Sequence, residues 1–288
     1  MSFIKSIEKT NNNQILINKL TSEVLNKEIQ NETLFSESIK ICYLDLETTG
    51  TNKQTDKIIE IAFKILRVDK LTGALLSIEG EYMSFEDPNE DISEKIEIIT
   101  GISNKMVLGH KINWASVSDH ISNSDIIVAH NASFDRAFMD RYLPLSRDKI
   151  WVCSINDINW MGRGFIKSNL ELLSLWHGFY YDSHRAMNDV DALIYLLSHP
   201  SYNEEKPIVE LINNSLIPYY KIIAAKSPFE KKDILKSNNY YWDAQHKYWW
   251  KRINSDNINS ERDWLTKNIY NGFFQGLIEE VPPKEKYK

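Results

Sequence analysis

Alternating apolar and polar positions predict β-strands in the first half of the chain. Residues 57–68 alternate in this way, and a shorter apolar run at 41–46 precedes them. A third strand is predicted at 74–85, after a turn at 71–73. Side chains of a strand point alternately to its two faces, so this pattern indicates a sheet with a buried face. Three successive strands with short links favour an antiparallel meander.

After residue 92 the apolar spacing becomes helical. The predicted elements in this part are a helix from Ser93 to a break at Gly101, a helix at 114–121, a strand at 125–129, a helix from Phe134 to Tyr142, a strand at 150–153, and helices at 169–176 and 185–199. Strands followed by alternating helices and strands predict an α/β fold, with a mixed β-sheet flanked by helices.

The chain divides into four predicted segments. Residues 1–37 form an N-terminal helical leader, 38–200 the main domain, 201–218 a linker, and 219–288 a small C-terminal module. The module is expected to be α+β, with a strand, a Lys-rich helix at 228–237, an aromatic hairpin at 240–253 and a final helix at 260–270.

The composition limits the class of protein. With 288 residues, the chain can form one large domain and a small one. No apolar run approaches the ~18 residues of a membrane span, so we expect a cytoplasmic protein without a membrane partner. Cys42 and Cys153 lie in strand-like runs and are expected to be buried, reduced thiols.

The charge is unevenly distributed. The net charge of −6 argues against binding of nucleic acid by bulk electrostatics. Residues 219–288 nevertheless contain 13 Lys and Arg against 9 Asp and Glu, a balance of +4, so the remainder carries −10. This asymmetry is consistent with a metal-dependent core that carries a substrate-holding appendage, and also with sequence drift.

Two carboxylates stand at the end of the first predicted strand. Asp45 and Glu47 share one face of this strand, with α-carbons roughly 6.5–7 Å apart. Carboxylates this close repel each other in a low-dielectric site, which raises one pKa or requires a cation. The pair therefore indicates either a divalent-metal site or two exposed acids at a strand end.

Three further residues could complete a metal site. Asp135 follows the buried strand 125–129 in the first turn of a helix, where an acid also stabilises the helix dipole. His184 and Asp189 would lie about 140° apart on one helix, so they converge only if His184 precedes that helix. Four carboxylates and one histidine suit hard cations such as Mg²⁺ or Mn²⁺, with the histidine accepting a proton from water.

Three motifs carry a resemblance to a known family. DLETTG at 45–50, HNASFD at 130–135 and HRAMND at 184–189 resemble, in this order, the motifs of the DEDDh 3′–5′ exonucleases. This is the group of the DnaQ-like polymerase III epsilon proofreading subunit, and the resemblance covers about residues 40–200. It implies a ribonuclease-H-like fold and the release of 5′-nucleoside monophosphates from a 3′ end.

The resemblance also implies a role for each matched residue. Asp45, Glu47, Asp135 and Asp189 would hold two Mg²⁺ or Mn²⁺ ions per site, and His184 would be the general base for the attacking water. Two such ions about 3.5–4 Å apart can stabilise the attacking and the leaving oxygen of a phosphoryl transfer.

Further residues in and around the motifs are considered for a supporting or substrate-binding role. Asp191 is set aside, because the family spacing between histidine and aspartate selects Asp189. His130, Asn131 and Glu60 are candidates for a supporting role only. The expected substrate contacts are Thr48, Thr49, Gly50, Ile102 and Phe134, the last of which could equally be a core aromatic.

The resemblance to the exonuclease domain ends before the C-terminal module. Its basic helix and aromatic hairpin look like small modules attached to some DnaQ-like exonucleases, and aromatics interleaved with cations can bind bases and phosphates. A module of ~70 residues also needs aromatics for its core. In that case the tryptophans are interior, and the cations facing the substrate are Lys231, Lys232, Lys247, Lys251 and Arg252.

These observations lead to three hypotheses. The first is a 3′–5′ exonuclease for nucleic acid with a free 3′ end, with single-stranded or frayed DNA favoured over RNA. Its role would be in proofreading or repair, with a polymerase or repair complex as partner. The second is an RNA-trimming enzyme similar to oligoribonuclease. The third is a non-catalytic nucleic-acid-binding or polymerase-associated module, against which the complete set of acids and His184 argues.

Overall fold

The computed structural model describes most of the chain, namely residues 14–29, 37–203 and 205–288. The predicted N-terminal leader, 1–37, therefore lies partly outside the described residues. None of the helices in the described part of the chain has the length and apolar character needed to cross a membrane.

The chain forms two compact units. The first runs to Ser215 and includes Tyr287–Lys288, and the second is Leu216–Lys286. The described elements of the first unit are β1 (Asn18–Lys19), α1 (Ser22–Lys27), β2 (Ser38–Thr48), β3 (Ile58–Asp69), β4 (Leu75–Phe85), α2 (Glu94–Thr100), α3 (Asn104–Val107), α4 (Trp114–Ser122), β5 (Ile126–Ala129), α5 (Ala132–Tyr142), β6 (Ile150–Cys153), α6 (Leu170–Trp176), β7 (Phe179–Tyr180), α7 (Ala186–Leu197) and α8 (Pro207–Ser215).

A five-stranded mixed sheet forms the centre of the first unit. Its strand order is β4-β3-β2-β5-β6, in which β2, β3 and β4 are antiparallel whereas β5 and β6 run parallel to β2. Helices cover both faces of the sheet. The predicted α/β class, with a mixed sheet flanked by helices, is confirmed.

The central strand β2 shows how the sheet is covered. Ile41 and Tyr43 pack into a hydrophobic cluster with residues of α7 and α8, whereas Cys42 packs into a second cluster with α4 and α5. The two-residue period of a strand directs neighbouring side chains to opposite faces. Asp45 and Glu47 continue the face of Ile41 and Tyr43, which is the face that α7 covers.

Local sequence determines the ends of α2 as predicted. The Ser93 hydroxyl accepts a hydrogen bond from the Ile96 N–H, and the helix ends at Gly101, which has a φ of 68°. This left-handed conformation favours glycine, whose N–H donates here to the Glu97 carbonyl. Both cysteines of the chain are buried and free, as predicted.

The second unit is a small α+β module, which confirms the predicted class. Its antiparallel sheet has the order β11-β8-β10-β9. The last strand, β11, is not among the elements predicted from the sequence. The elements are β8 (Tyr219–Ala224), α9 (Lys232–Ser237), β9 (Tyr241–Asp243), β10 (Tyr248–Ile253), α10 (Ile258–Asn268) and β11 (Leu277–Val281).

Candidate metal and active site

Three carboxylates meet where β2 ends and α7 begins. One oxygen each of Asp45, Glu47 and Asp189 lies within 4.8 Å of the other two. Asp45 and Glu47 are two apart on one face of β2, and α7, which packs on that face, carries Asp189 in its first turn. The fold thus brings together carboxylates that are far apart in the sequence.

Asp135 approaches the same carboxylates from α5. It is 2% exposed; burial raises the pKa of its carboxyl well above the usual range, and the backbone N–H groups of Asp135 and Leu46 lower it in part. Its charge contributes to the raised pKa values of Asp45 and Glu47. Within the described chain, however, the group of oxygens that lie within 4.8 Å of one another does not include Asp135.

Burial and mutual repulsion raise the pKa values of these carboxylates. Burial raises the pKa of Asp45 well above its usual range, and the charges of Asp189, Asp135 and Glu47 raise it further. Burial, followed by the charges of Asp189 and Glu60, raises the pKa of Glu47 to about 8. Burial also raises the pKa of Asp189 to about 6. Such a cluster binds protons unless a cation compensates its charge.

Asp189 is oriented by donors that the sequence analysis did not identify. The Tyr181 hydroxyl donates to its Oδ1 at 2.9 Å, and the Arg185 N–H donates to its Oδ2 at 3.2 Å. These donors favour the ionised carboxylate and so lower its pKa against the larger effect of burial. Tyr181 belongs to none of the three motifs, and only the folded backbone brings it to Asp189.

Glu60 lies on β3, directly opposite Glu47 on β2. It connects the start of α7 to the sheet. It is 1% exposed and accepts hydrogen bonds from Arg185 Nη2 at 3.0 Å, from Arg185 Nε at 3.3 Å and from the Ala186 N–H at 3.0 Å. Its charge is thereby paired with Arg185. Glu60 is a positioning residue, and Arg185, its partner, was missed by the sequence analysis.

His184 precedes α7, which is the placement that its spacing from Asp189 requires. Its backbone is left-handed with a φ of 64°, and its side chain is 49% exposed. Its Nε2 lies 3.6 Å from Oε1 of Glu171, and its charge helps to lower the pKa of Asp189. In this structure the imidazole therefore lies next to Glu171 and is accessible to solvent.

Three residues in or next to the motifs make contacts or adopt a backbone conformation outside the carboxylate group. Asp191 forms a buried ion pair with Lys64, and among the described residues it is not part of the carboxylate group. The His130 Nδ1 lies 2.7 Å from the Ser154 hydroxyl, and burial lowers the pKa of His130 to about 4. Asn131 has a φ of 68° at the start of α5.

The predicted substrate-binding turn is ordered by its own hydroxyl groups. The Thr48 hydroxyl donates to the Gly50 carbonyl at 2.6 Å, and the Thr49 hydroxyl accepts from the Lys57 N–H at 3.0 Å. The turn directly follows the strand that carries the two acids. Phe134 is half-buried on α5 and packs against the hydrophobic cluster of that face.

The structure does not support the predicted contact between Ile102 and a terminal base. Ile102 has no exposed surface and completes a small hydrophobic cluster with Ile59, Ile92 and Val107. Burial of an apolar side chain of this size is worth about 1.5–3 kcal/mol, which explains its place in the core. A side chain with no exposed surface offers no face to a ligand.

The donor set fits hard divalent cations. It consists of carboxylate oxygens, the ligands that Mg²⁺ and Mn²⁺ prefer. Burial raises the pKa values of Asp45, Glu47 and Asp189, so a cation bound between them would stabilise their ionised forms. A zinc site would need more histidine or cysteine ligands than this cluster provides.

Comparisons with known proteins find an exonuclease family. The RNase_T exonuclease family model matches residues 42–197. The chain is 32% identical over 119 residues to the PolC-type DNA polymerase III of Thermotoga maritima, covering 41% of this chain and 8% of that protein. It is 31% identical over 163 residues to the 3′–5′ exonuclease DinG of Bacillus subtilis, covering 53% and 17%. The chain thus spans less than a fifth of the length of these relatives.

Two solved structures are also similar to the chain. Exonuclease X in complex with 5′-overhanging duplex DNA is 24% identical, with a TM-score of 0.40, and the match covers 59% of this chain and 99% of that one. Exonuclease I of E. coli in complex with a dA16 oligonucleotide is 14% identical, with a TM-score of 0.48 and coverages of 79% and 68%.

Proposed function

The chain belongs to the RNase_T exonuclease family as a DnaQ-like member, and from this premise we propose that it is a metal-dependent 3′–5′ exonuclease. The observation that carries the proposal is the meeting of Asp45, Glu47 and Asp189 within the segment that the family model matches. In this proposal the chain hydrolyses the terminal phosphodiester bond and releases 5′-nucleoside monophosphates.

In the proposed site, Asp45, Glu47, Asp135 and Asp189 hold two Mg²⁺ or Mn²⁺ ions. Such ions supply positive charge to the reacting phosphate and make a bound water more acidic. The hydrogen bonds from Tyr181 and from the Arg185 N–H hold Asp189 in its ionised form. Glu60 fixes the start of α7, so that Asp189 remains opposite Asp45 and Glu47.

His184 is the proposed general base. It lies just before α7, the helix whose first turn carries Asp189, and its half-exposed imidazole is accessible to water. A histidine can accept a proton near neutral pH, as the attacking water requires. The turn Thr48-Thr49-Gly50 supplies backbone groups for the terminal nucleotide, and Phe134 provides an apolar wall beside it.

DNA is the proposed substrate, as a single strand or a frayed 3′ end. This choice is supported by the names of the relatives, a PolC-type DNA polymerase III and the 3′–5′ exonuclease DinG. The name of the first relative also supports a polymerase as partner. A role in proofreading or repair in the cytoplasm, with a polymerase or repair complex, is part of the same proposal.

The test uses matched single strands labelled at the 5′ or the 3′ end. With Mg²⁺, we expect the 5′-labelled strand to shorten stepwise and the 3′-labelled strand to release a labelled mononucleotide at once. Asp189→Asn should lower the rate at least 100-fold, whereas Asp182→Asn, at an exposed acid paired with Lys19, should not change it. Cleavage in EDTA, or equal rates for wild type and Asp189→Asn, would contradict the proposal.

The same assay decides between the alternatives. An RNA strand of the same sequence degraded faster than the DNA strand would make the protein an RNA-trimming enzyme, because discrimination at the sugar depends on the 2′-OH. Tight binding without product at any Mg²⁺ or Mn²⁺ concentration would make it a non-catalytic binding module.

A further inference from the structure

The second unit has a sheet face that its own helices do not cover. Ile222 and Ile253 point to the helical side, where they pack with Leu235 of α9 and Leu265 of α10. The residues on the other side, here called the open face, do not enter the hydrophobic cluster of this unit. By strand register, the aromatic and cationic residues of the open face are Tyr219, Lys221, Tyr241, Tyr248, Trp250 and Arg252. Ile223 lies among them, opposite Trp250, and is 2% exposed.

Flat aromatic rings and cations lie close together on this face. Lys221 Nζ lies 4.8 Å from the ring centroid of Tyr248 and 5.1 Å from that of Trp250. The rings of Tyr241 and Trp250 are 5.9 Å apart, and Tyr241 is 64% exposed. Rings held in this way on a rigid sheet lose little conformational freedom when a flat ligand stacks on them.

The charge of the unit favours an anionic ligand. Leu216–Lys286 contains 12 Lys and Arg against 9 Asp and Glu, a balance of +3, although the whole chain carries −6. Lys221 lies on β8 and Arg252 on β10, the two central strands. Two acids share the face: Asp243 is hydrogen-bonded to His246 at the hairpin turn, and Glu279 is on the edge strand β11.

We propose that the open face binds single-stranded nucleic acid, as a second binding site separate from the carboxylate cluster. Unpaired bases stack on Tyr241, Trp250 and Tyr248, and the phosphates between them interact with Lys221 and Arg252. Single strands fit this surface because their bases present free faces, and base–aromatic stacking tolerates any sequence. The proposal rests on the proposed function in one respect: the anionic polymer is taken to be nucleic acid because the chain is proposed to be an exonuclease.

A second copy of the chain fits this face less well. Two open faces packed against each other would bring the central cations Lys221 and Arg252 of both copies together, and like charges at an interface oppose association. A polyanion with flat bases satisfies both the cations and the rings.

The first test measures binding of a fluorescein-labelled 16-nucleotide thymidine strand to the full chain in EDTA by fluorescence anisotropy. We expect Trp250→Ala to weaken binding by between about 5- and 150-fold, the effect of losing one stacked base. Trp250→Phe keeps a ring and should restore most of the affinity, which separates stacking from misfolding. Phe273→Ala removes a ring that is 83% exposed but lies outside the strands, and it should not change the affinity.

Salt dependence tests the cations independently of the rings. Removing one phosphate contact from a single-strand site reduces the slope of log K against log salt by about 0.7. We expect this change for Lys221→Met and none for Lys236→Met, at an exposed lysine on α9. If Trp250→Ala and Lys221→Met both bind like the wild type, the proposal is wrong.

A small chromogenic substrate separates this proposal from the proposed function. The p-nitrophenyl ester of thymidine 5′-monophosphate has no strand that could reach a second site. We expect Trp250→Ala to hydrolyse it like the wild type, whereas Asp189→Asn should lose hydrolysis but keep strand binding in EDTA. If the wild type fails to hydrolyse it, the proposed function is contradicted while the anisotropy result still stands.

Self-association that Trp250→Ala abolishes, with strand binding unchanged, would identify a second copy as the occupant and overturn the proposal.

Discussion

Glu47 shows at the scale of one residue how the site opposes the stability of the fold. Its pKa is raised from 4.5 to about 8, mainly by burial and then by the charges of Asp189 and Glu60. A carboxyl group with a raised pKa in the folded state favours folding only while it is protonated. The metal-free protein should therefore lose stability as the pH rises from about 4.5 to about 8.

Glu47→Gln should stabilise the metal-free protein at pH 8. The amide removes one negative charge from the cluster, and we expect a gain of about 1 kcal/mol, which corresponds to ~2–4 °C in Tm for a chain of this size. The gain should vanish near pH 4.5, where the carboxyl group is protonated in both states. Thermal unfolding in EDTA measures it, with the exposed Glu97→Gln as control. A lower Tm for Glu47→Gln at pH 8 would refute this account of the cluster.

Tyr181→Phe should weaken metal binding without changing the fold. The variant loses only the hydroxyl that donates to Asp189 Oδ1. Loss of a group that orients a metal ligand typically costs 10–100-fold in affinity or activity, so we expect an effect of about that size on the Mg²⁺ concentration for half-maximal rate. The neighbouring Tyr180→Phe, at a residue that is 45% exposed, serves as control. Identical Mg²⁺ curves for the two variants would exclude the positioning role of Tyr181.

Individual residues also show which parts of the site can be predicted from the sequence and which cannot. Asp45 and Glu47 are two apart on one strand, so local geometry alone places them on one face. The interaction of Glu60 with Arg185, by contrast, joins residues 125 positions apart, and no local pattern encodes it. The burial of Ile102 depends in the same way on which elements surround it.

At the scale of elements, the start of α7 is the critical junction. The helix begins where Glu60 accepts from both the Arg185 side chain and the Ala186 N–H, and its first turn places Asp189. An error in this start would displace Asp189 from Asp45, because both belong to rigid elements. Correct placement of Asp189 opposite Asp45 therefore depends on the buried carboxylate of Glu60, which does not itself belong to the cluster.

Glu60→Gln tests this junction. Hydrogen bonds to a charged group are worth about 1.5–3 kcal/mol, so we expect the free energy of unfolding to fall by about 2 kcal/mol, with activity reduced at all Mg²⁺ concentrations. Glu79→Gln, at a part-exposed glutamate on β4 paired with Arg67, should cost less than about 1 kcal/mol and leave activity intact. Equal denaturant unfolding curves for the two variants would contradict the role assigned to Glu60.

The elements themselves were largely predictable because their patterns are local. The strand predicted at 41–46 extends in the structure over Ser38–Thr48, and the helix predicted at 185–199 spans Ala186–Leu197. The strand β11 could not be predicted, since Leu277–Val281 is mostly exposed and its sequence LIEEV does not alternate. It becomes a strand by pairing with β8. The sequence of the segment alone does not encode this pairing.

At the scale of the whole molecule, we expect the stability of the first unit to fall at low pH as well as at high pH. Burial lowers the pKa of His177 to about 3 and that of His199 to about 4. The two rings are in contact, with centroids 5.2 Å apart. Because histidine is protonated more easily in the unfolded chain, stability should fall as the pH decreases from about 6.5 to about 4. Metal-free protein is thus expected to be most stable at mildly acidic to neutral pH.

His199→Gln should flatten the acidic side of this profile. A shift of one pKa unit corresponds to about 1.4 kcal/mol, so the buried neutral imidazole accounts for up to about 3 kcal/mol of the loss down to pH 4. Denaturant unfolding between pH 7 and pH 4 measures the slope, and the exposed His246→Gln is the control. The same slope for wild type and His199→Gln would exclude His199 as a cause of acid sensitivity.

The most direct test of the metal site follows Mn²⁺ binding and nuclease activity in the same titration, using electron paramagnetic resonance to count bound ions. The account predicts that up to two Mn²⁺ ions bind per chain and that hydrolysis of a single-stranded oligonucleotide rises with their occupancy. Both should be lost in Asp45→Asn, which keeps the shape of the side chain but removes its charge. Hydrolysis without any bound Mn²⁺ or Mg²⁺, or unchanged Mn²⁺ binding by Asp45→Asn, would contradict it.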